Sequence, residues 1–351
     1  MTRNGFMALH PFESTVIGHI LRSYARHVTA TFVAFGAVLI SANAPAHAPA
    51  KTPSVAVAAS PASTTIRYRT LRVDGIDLFY REAGPSNAPV VLLLHGFPAS
   101  SFMYRDLIPQ LAARYRVVAP DYPGFGYSSA PSVKEFNYSF DHLADVIEKF
   151  TVELGLEKYS IYMQDFGGPV GFRLATRNPA KVASLIVQNA NAYEDGLPDS
   201  FWKPARELWR NPSKANFAGI REAAMSKEAL EWNYTHGVKD TTRISPDSWV
   251  LQGALLDRPG NKDIMLALLY DYRMNLKLYA KWHDYFRTYQ PPMLIVWGEH
   301  DAIFPASGAR AYLRDLPKAE LHLLDTGHFA LEEKSEEIGQ FMTDFLHRHA
   351  K

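Results

Sequence analysis

Residues 159–177 read YSIYMQDFGGPVGFRLATR, and the order of residue types in that stretch decides the fold. Tyr159 to Gln164 reads as a short buried strand. Asp165 follows at once, then Phe166, Gly167 and Gly168, and from Gly168 to about Arg177 the pattern becomes helical. A strand, a sharp turn carrying one reactive side chain, and glycines that open a helix make a nucleophile-elbow arrangement. Working outward, VVLLLHG from Val90 and YRVVAP from Tyr115 read as further buried parallel strands, with a helix between them from about Ser101 to Arg114. A hairpin turning at Asp74-Gly75 precedes them, and a helix from about Phe140 to Leu154 leads into the elbow strand. The strands ASLIVQNA (183–190), MLIVWG (293–298) and LHLLD (321–325) and a final helix complete the chain. Alternating βα units imply an α/β protein, a mostly parallel sheet with helices on both faces and its function at the carboxyl ends of the strands.

The 351 residues leave room for two domains or one large domain with an insertion. With 47% hydrophobic and 21% charged residues the chain matches a soluble globular protein, which excludes a polytopic membrane protein or a disordered chain. Lys plus Arg is 37 against 36 for Asp plus Glu, so nothing points to nucleic acid as a partner. There is no cysteine, which removes disulfides, thiolate metal sites and thiol nucleophiles together. The near-neutral total conceals an asymmetry. Arg3, Arg22, Arg26 and Lys51 face only Glu13 in the first 64 residues, so the remainder is mildly acidic. Arg22, Arg26 and His27 precede the apolar run VTATFVAFGAVLI (28–40), and A-x-A sequences follow from Ala42. That order predicts a cleaved export signal over 1–44 and a periplasmic or secreted enzyme. Thirteen apolar residues fall short of the roughly 20 that span a bilayer, so a retained anchor is the lesser reading. Residues 45–64 are largely Ala, Pro and Ser, the composition of a linker.

The strand ends carry the chemistry. His95-Gly96-Phe97-Pro98 follows VVLLL, Asp165 follows YSIYMQ, Glu299, His300 and Asp301 follow MLIVWG, and Thr326-Gly327-His328 follows LHLLD. Nucleophile, acid and histidine thus occur in the chain order this elbow requires. HGFPASSFMYRDLIPQLAARYRVVAPDYPGFGYSSAP and QDFGG together resemble the α/β-hydrolase fold enzymes of the epoxide hydrolase and haloalkane dehalogenase branch, over essentially all of residues 66–350. The resemblance implies a core made of 65–190 and 290–351 with a helical cap at 191–289. It also implies Asp165 as nucleophile, Asp301 and His328 as its partners, and backbone N–H groups of Phe97 and Phe166 as the oxyanion hole. One departure is Met163, where these enzymes commonly carry a small residue. His95 reads as structural, Asp121, Gly124 and Gly126 as turn chemistry, and Glu299 as a minor alternative to Asp301.

An aspartate nucleophile narrows the reaction. A carboxylate is ionised near pH 7 without a base to activate it, attacks amides poorly, and suits displacement at a saturated carbon. The expected product is an alkyl-enzyme ester, which His328 hydrolyses by deprotonating water. No cofactor or metal is called for; the partners are a small apolar substrate and water. Five of the six tryptophans, Trp202, Trp209, Trp232, Trp249 and Trp282, fall in the cap segment, which suits an apolar pocket. Tyr272-Arg273 resembles the later of the two cap-tyrosine motifs of epoxide hydrolases and so implies Tyr272 as proton donor. Tyr193 and Tyr234 are candidates for the earlier one. An epoxide hydrolase that makes a diol is therefore the leading expectation. A haloalkane dehalogenase is second, because the side chains of Phe97 and Phe166 cannot donate to a halide. A non-catalytic small-ligand binder would have no need of the Asp165, Asp301 and His328 set.

Overall fold

Every residue of β5 (Tyr159–Gln164) and β7 (Met293–Gly298) is buried, as expected of strands covered on both faces. In the computed structural model, which describes residues 64–350, both lie inside one eight-stranded sheet ordered β1-β2-β4-β3-β5-β6-β7-β8. The hairpin of β1 (Arg67–Val73) and β2 (Ile76–Ala83) turns at Asp74-Gly75, both with positive φ, and joins the sheet antiparallel. β3 (Val90–Leu94), β4 (Arg116–Pro120), β6 (Val182–Gln188) and β8 (Glu320–Leu324) run parallel with β5 and β7. The mostly parallel α/β sheet read from the sequence is the sheet observed. The expected leader, 1–44, and the linker up to residue 63 lie outside the described residues. No described helix is long and apolar enough to cross a membrane.

The helices of the core are α1 (Ile108–Leu111), α2 (Phe140–Glu153) and α3 (Gly167–Arg177). Between β6 and β7 come α4 (Asp199–Arg210), α5 (Lys214–Met225), α6 (Lys227–Thr235), α7 (Asp247–Leu256), α8 (Asn261–Asp271), α9 (Arg273–Leu276) and α10 (Tyr279–Tyr289). After β7 come α11 (Ala306–Ala311) and α12 (Ala330–His349). Side chains alternate across the sheet with the strand period of two. Leu92, Leu94, Ile161, Met163, Leu185 and Val187 pack with α2 and α3, whereas Val91, Leu93, Tyr162, Ile186 and Leu294 pack with α1 and α12.

Two stretches differ from the sequence reading. The helix expected over 101–114 is instead a 3-10 turn, Ser101–Tyr104, followed by the single turn of α1. Pro109 lacks the N–H that would continue a helix from Arg105, so the chain starts again there. The other is α10, at the end of the cap segment. Phe172 of α3 meets Trp282 and Phe286 of α10 at ring separations of 5.1 and 5.5 Å, so α10 and Trp282 belong to the layer over the sheet.

Strand order reverses around β3, whose neighbours are β4 and β5, and this opens a crevice at the carboxyl ends of β3 and β5. The pairing register stops at Leu94 opposite Met163, so the loop after β3 emerges beside the turn after β5. Asp121 fixes that loop from below. Its Oδ1 accepts from Ser101 N–H at 2.7 Å and its Oδ2 from Tyr127 N–H at 2.8 Å. Asp121→Ala leaves both donors without an acceptor and is expected to cost about 2–4 kcal/mol in urea unfolding, with Asp121→Asn costing less. A change under about 0.5 kcal/mol for Asp121→Ala would show that Asp121 does not hold the loop.

Candidate active site

Asp165 sits at φ +48°, in the left-handed region that side-chain-bearing residues seldom adopt, and this projects its carboxylate out of the strand end. The chain can turn that sharply because Gly167 follows. A Cβ there would lie 2.1 Å from the Leu94 carbonyl oxygen, so only glycine lets α3 start against β3. Met163 is accommodated by the same helix. Its Cε lies 2.9 Å from the Cβ position of Gly171, so the large side chain two residues before the turn fills space left by a glycine.

The structure brings the sequence-predicted residues together. Phe97 N–H donates to Asp165 Oδ1 at 2.6 Å. His328 Nε2 stands 3.9 Å from Asp165 Oδ2, and His328 Nδ1 is 2.8 Å from Asp301 Oδ2. Asp301 is held on both oxygens, with Ile303 and Phe304 N–H donating to Oδ1 at 2.7 and 3.1 Å and Asn189 Nδ2 donating to Oδ2 at 2.7 Å. All three residues are at least 95% buried. Burial pushes the Asp165 carboxyl up to about 6, against the pull of His328 and of the Phe97 and Phe166 N–H groups. Burial also opposes charge on His328, but Asp301 and Asp165 together hold its pKa above the usual value. Glu299 and the other histidines near these strands lie elsewhere. Glu299 faces Arg310 at 3.8 Å, His300 pairs with Asp325, and His322 stacks on Phe341. His95 is buried, with Nδ1 toward Gly96 O and Nε2 accepting from Tyr122 N–H; this suits a neutral ring that braces the loop.

Above the triad lies a cavity of about 160 Å³. Its floor is Phe97, Asp165, Phe166 and His328, and its walls come from α4, α5, α6 and α8, including Phe201, Trp202, Leu208, Ile220, Trp232 and Asn233. In an apolar protein interior, about 150 Å³ admits a benzene ring. Trp202 is tied down by donating from Nε1 to Ile303 O at 2.8 Å, which links α4 to the Asp301 loop. Tyr272 is not among the residues that line this cavity. Its ring stands one layer back, 4.8 Å from Trp202 and 6.0 Å from Phe166. Its hydroxyl is fully buried beside that of Tyr279 and has no well-formed hydrogen bond. Tyr193 bonds to Asp315 and Tyr234 stacks on Phe329, so neither lines the cavity either.

Two site residues escaped the sequence reading. Gln164 places Nε2 3.1 Å from His328 Nε2, and Asn189, itself at φ +44°, joins Asp301 to the end of β7. The available signal was polarity at the carboxyl end of strands that are otherwise apolar, in YSIYMQ and in LIVQN.

The family model described as the alpha/beta hydrolase fold matches residues 89–335. An uncharacterized hydrolase of Saccharomyces cerevisiae is 41% identical over 269 residues, 76% of this chain and 92% of that protein. Epoxide hydrolase 3 of Xenopus tropicalis is 27% identical over 291 residues, 80% of this chain and 77% of that protein. Among solved structures, a haloalkane dehalogenase from Bradyrhizobium elkani superposes with a TM-score of 0.65 at 23% identity, covering 81% of this chain and 98% of that one.

The raised pKa of Asp165 has a consequence for stability. The folded protein holds that proton more tightly than the unfolded chain does. The resulting stabilisation is fully present below pH 3.8 and is lost as pH rises through about 6. Asp165→Asn, which keeps the shape without the charge, is therefore expected to be more stable than the wild type at pH 8, by on the order of 3 kcal/mol at most. The two proteins should unfold alike near pH 4. Equal urea midpoints at both pH values would contradict the buried-charge assignment.

Proposed function

The chain belongs to the α/β-hydrolase fold family, and on that premise we propose that it is an epoxide hydrolase that works through a covalent ester on Asp165. The observation that carries this reading is how the carboxylate is held. Oδ1 lies against the Phe97 N–H, while Oδ2 faces His328 across 3.9 Å under an apolar cavity. Oδ2 attacks a ring carbon of the epoxide, the carbon–oxygen bond opens, and its electron pair leaves on the substrate oxygen. Relief of ring strain drives the step, and the alkoxide requires a proton. We assign that role to Tyr272, whose hydroxyl is buried and close enough to Asp165 to feel its charge; it delivers the proton once the Trp202 ring that walls it off from the cavity swings aside. Burial first, and then Tyr279 and Asp165, push its pKa well above that of an ordinary phenol, so it stays protonated throughout the working range.

Water then attacks Cγ of the ester. Its proton passes to His328 Nε2, the tetrahedral oxyanion forms on Oδ1 beside the Phe97 N–H, and the Cγ–Oδ2 bond breaks, so that Oδ2 leaves as the second hydroxyl of the diol with the proton returned by His328 and the water oxygen stays on Asp165. Asp301 keeps the ring oriented and stabilises the imidazolium. Once Asp165 is esterified its charge no longer supports protonation of His328, so the base is freed at the moment it is needed. Dehalogenation is the weaker reading. Trp232 and Asn233 line the cavity, but Phe97 and Phe166 offer no side-chain donor and the Trp202 N–H is already bonded to Ile303 O.

His328→Gln incubated with styrene oxide and cyclohexene oxide should accumulate enzyme carrying the mass of one epoxide on Asp165, read by intact-protein and peptide mass. Asp165→Asn should show none until the amide reverts slowly to aspartate. Adduct formation should fall about tenfold per pH unit below pH 6 as Asp165 takes up its proton. Tyr272→Phe should slow epoxide opening by about 10- to 100-fold while sparing attack on bromobutane, whose leaving group takes no proton. No adduct with any epoxide would end the proposal, and halide release without diol formation would move it to dehalogenation.

A further inference from the structure

Gln164 is the last residue of β5, directly before Asp165, and its side chain is fully buried. Its Nε2 lies 3.1 Å from His328 Nε2, nearer than Asp165 Oδ2 at 3.9 Å. Its Oε1 is buried with no hydrogen-bond partner. Because His328 Nδ1 is committed to Asp301, the neutral ring carries its proton there and presents a lone pair at Nε2, to which the amide N–H donates. In the imidazolium, Nε2 carries a proton, and an amide nitrogen can only oppose it. The two ends of a carboxamide are nearly equal in size, so a half-turn replaces N–H by oxygen without repacking, and the oxygen has no existing bond to lose.

We propose that Gln164 is a positioning residue for the base of the ester-hydrolysis step: its carboxamide donates to Nε2 of neutral His328 and, after a half-turn, accepts from Nε2–H of the imidazolium. The proposal rests on the Asp165 ester of the preceding section. In that step water loses a proton to Nε2 as its oxygen bonds to Cγ. The bond from Cγ to Oδ2 then breaks, and the departing alkoxide, which carries Oδ2, takes the proton back. Between the two transfers an imidazolium must be held in a buried site. The titratable groups that face it are Asp301, already engaged at Nδ1, and Asp165, neutral while esterified; its ring is flanked by Phe304 and Phe329. Gln164 Oε1 is the acceptor left for Nε2–H. The first step, attack by Asp165, forms no imidazolium and does not call on it.

The experiment follows both steps in the full chain by rapid quench and intact mass, with styrene oxide as probe. Gln164→Met should form the adduct within about threefold of the wild-type rate and lose it about 10- to 100-fold more slowly, so that the ester accumulates. Gln164→Glu supplies a permanent anionic acceptor and should move the acidic limb of ester decay up by about one pH unit or more. It also serves as the deciding variant if Gln164→Met does not fold. Ester decay at the wild-type rate in Gln164→Met, or an unmoved limb in Gln164→Glu, would overturn the proposal. Equal slowing of both steps in Gln164→Met would assign Gln164 a structural role only. Failure of wild type and His328→Gln to form any adduct removes the ester itself, an outcome distinct from an adduct that forms and decays normally.

Discussion

A carboxylate lies buried at the end of a strand that is covered on both faces, and most of the site is arranged around that charge. Desolvation of Asp165 is the largest influence on its protonation, and it opposes the ionised form. The Phe97 and Phe166 N–H groups and the His328 ring bring the ionised form back within reach of neutral pH. Those donors are available only because β3 and β5 are in register at Leu94 and Met163 and because Gly167 lets the two turns come together. The left-handed backbone at Asp165 is the local cost of aiming the side chain, of order 1–3 kcal/mol, and the sheet on either side keeps it in place.

The segment between β6 and β7 converts that charged point into a selective site. Its helices roof Asp165 and His328 with aromatic and aliphatic walls, an apolar surrounding in which electrostatic interactions are strengthened. The roof is coupled to the chemistry at defined contacts. Trp202 bonds to the carbonyl of Ile303, whose own N–H bonds to Asp301, and Tyr234 stacks on Phe329 beside His328. A shift of α4 or α6 is therefore felt at Asp301 and His328.

Much of this was legible along the chain. Short apolar runs ending in Asp165, Asp301 and His328 identified strands whose carboxyl ends converge, and the glycines after Asp165 identified the elbow. Other features depended on distances that no linear pattern contains. Pro109 broke an amphipathic stretch that otherwise read as one helix. Met163 departs from the small residue usual at that place, and Gly171 makes the room for it. Tyr272 carries a recognisable motif, but the packing of Trp202 and Phe166 sets it behind the cavity wall. Gln164 and Asn189 carry no distinguishing signal in the chain, since a polar residue at a strand end is ordinary, and only the fold places one against His328 and the other against Asp301.

The sequence by itself determined the α/β architecture, the chain order of Asp165, Asp301 and His328 at strand ends, and the identity of the groups that carry charge, because strand period, turn chemistry and residue type are local properties. The tertiary structure alone decided how those groups act. Burial sets the protonation of Asp165, the separation of β3 and β5 supplies its N–H donors, and the helices above fix the cavity's size and the neighbours of His328. Desolvation and hydrogen-bond geometry depend on residues far apart in the chain, and they take values only once the chain has packed.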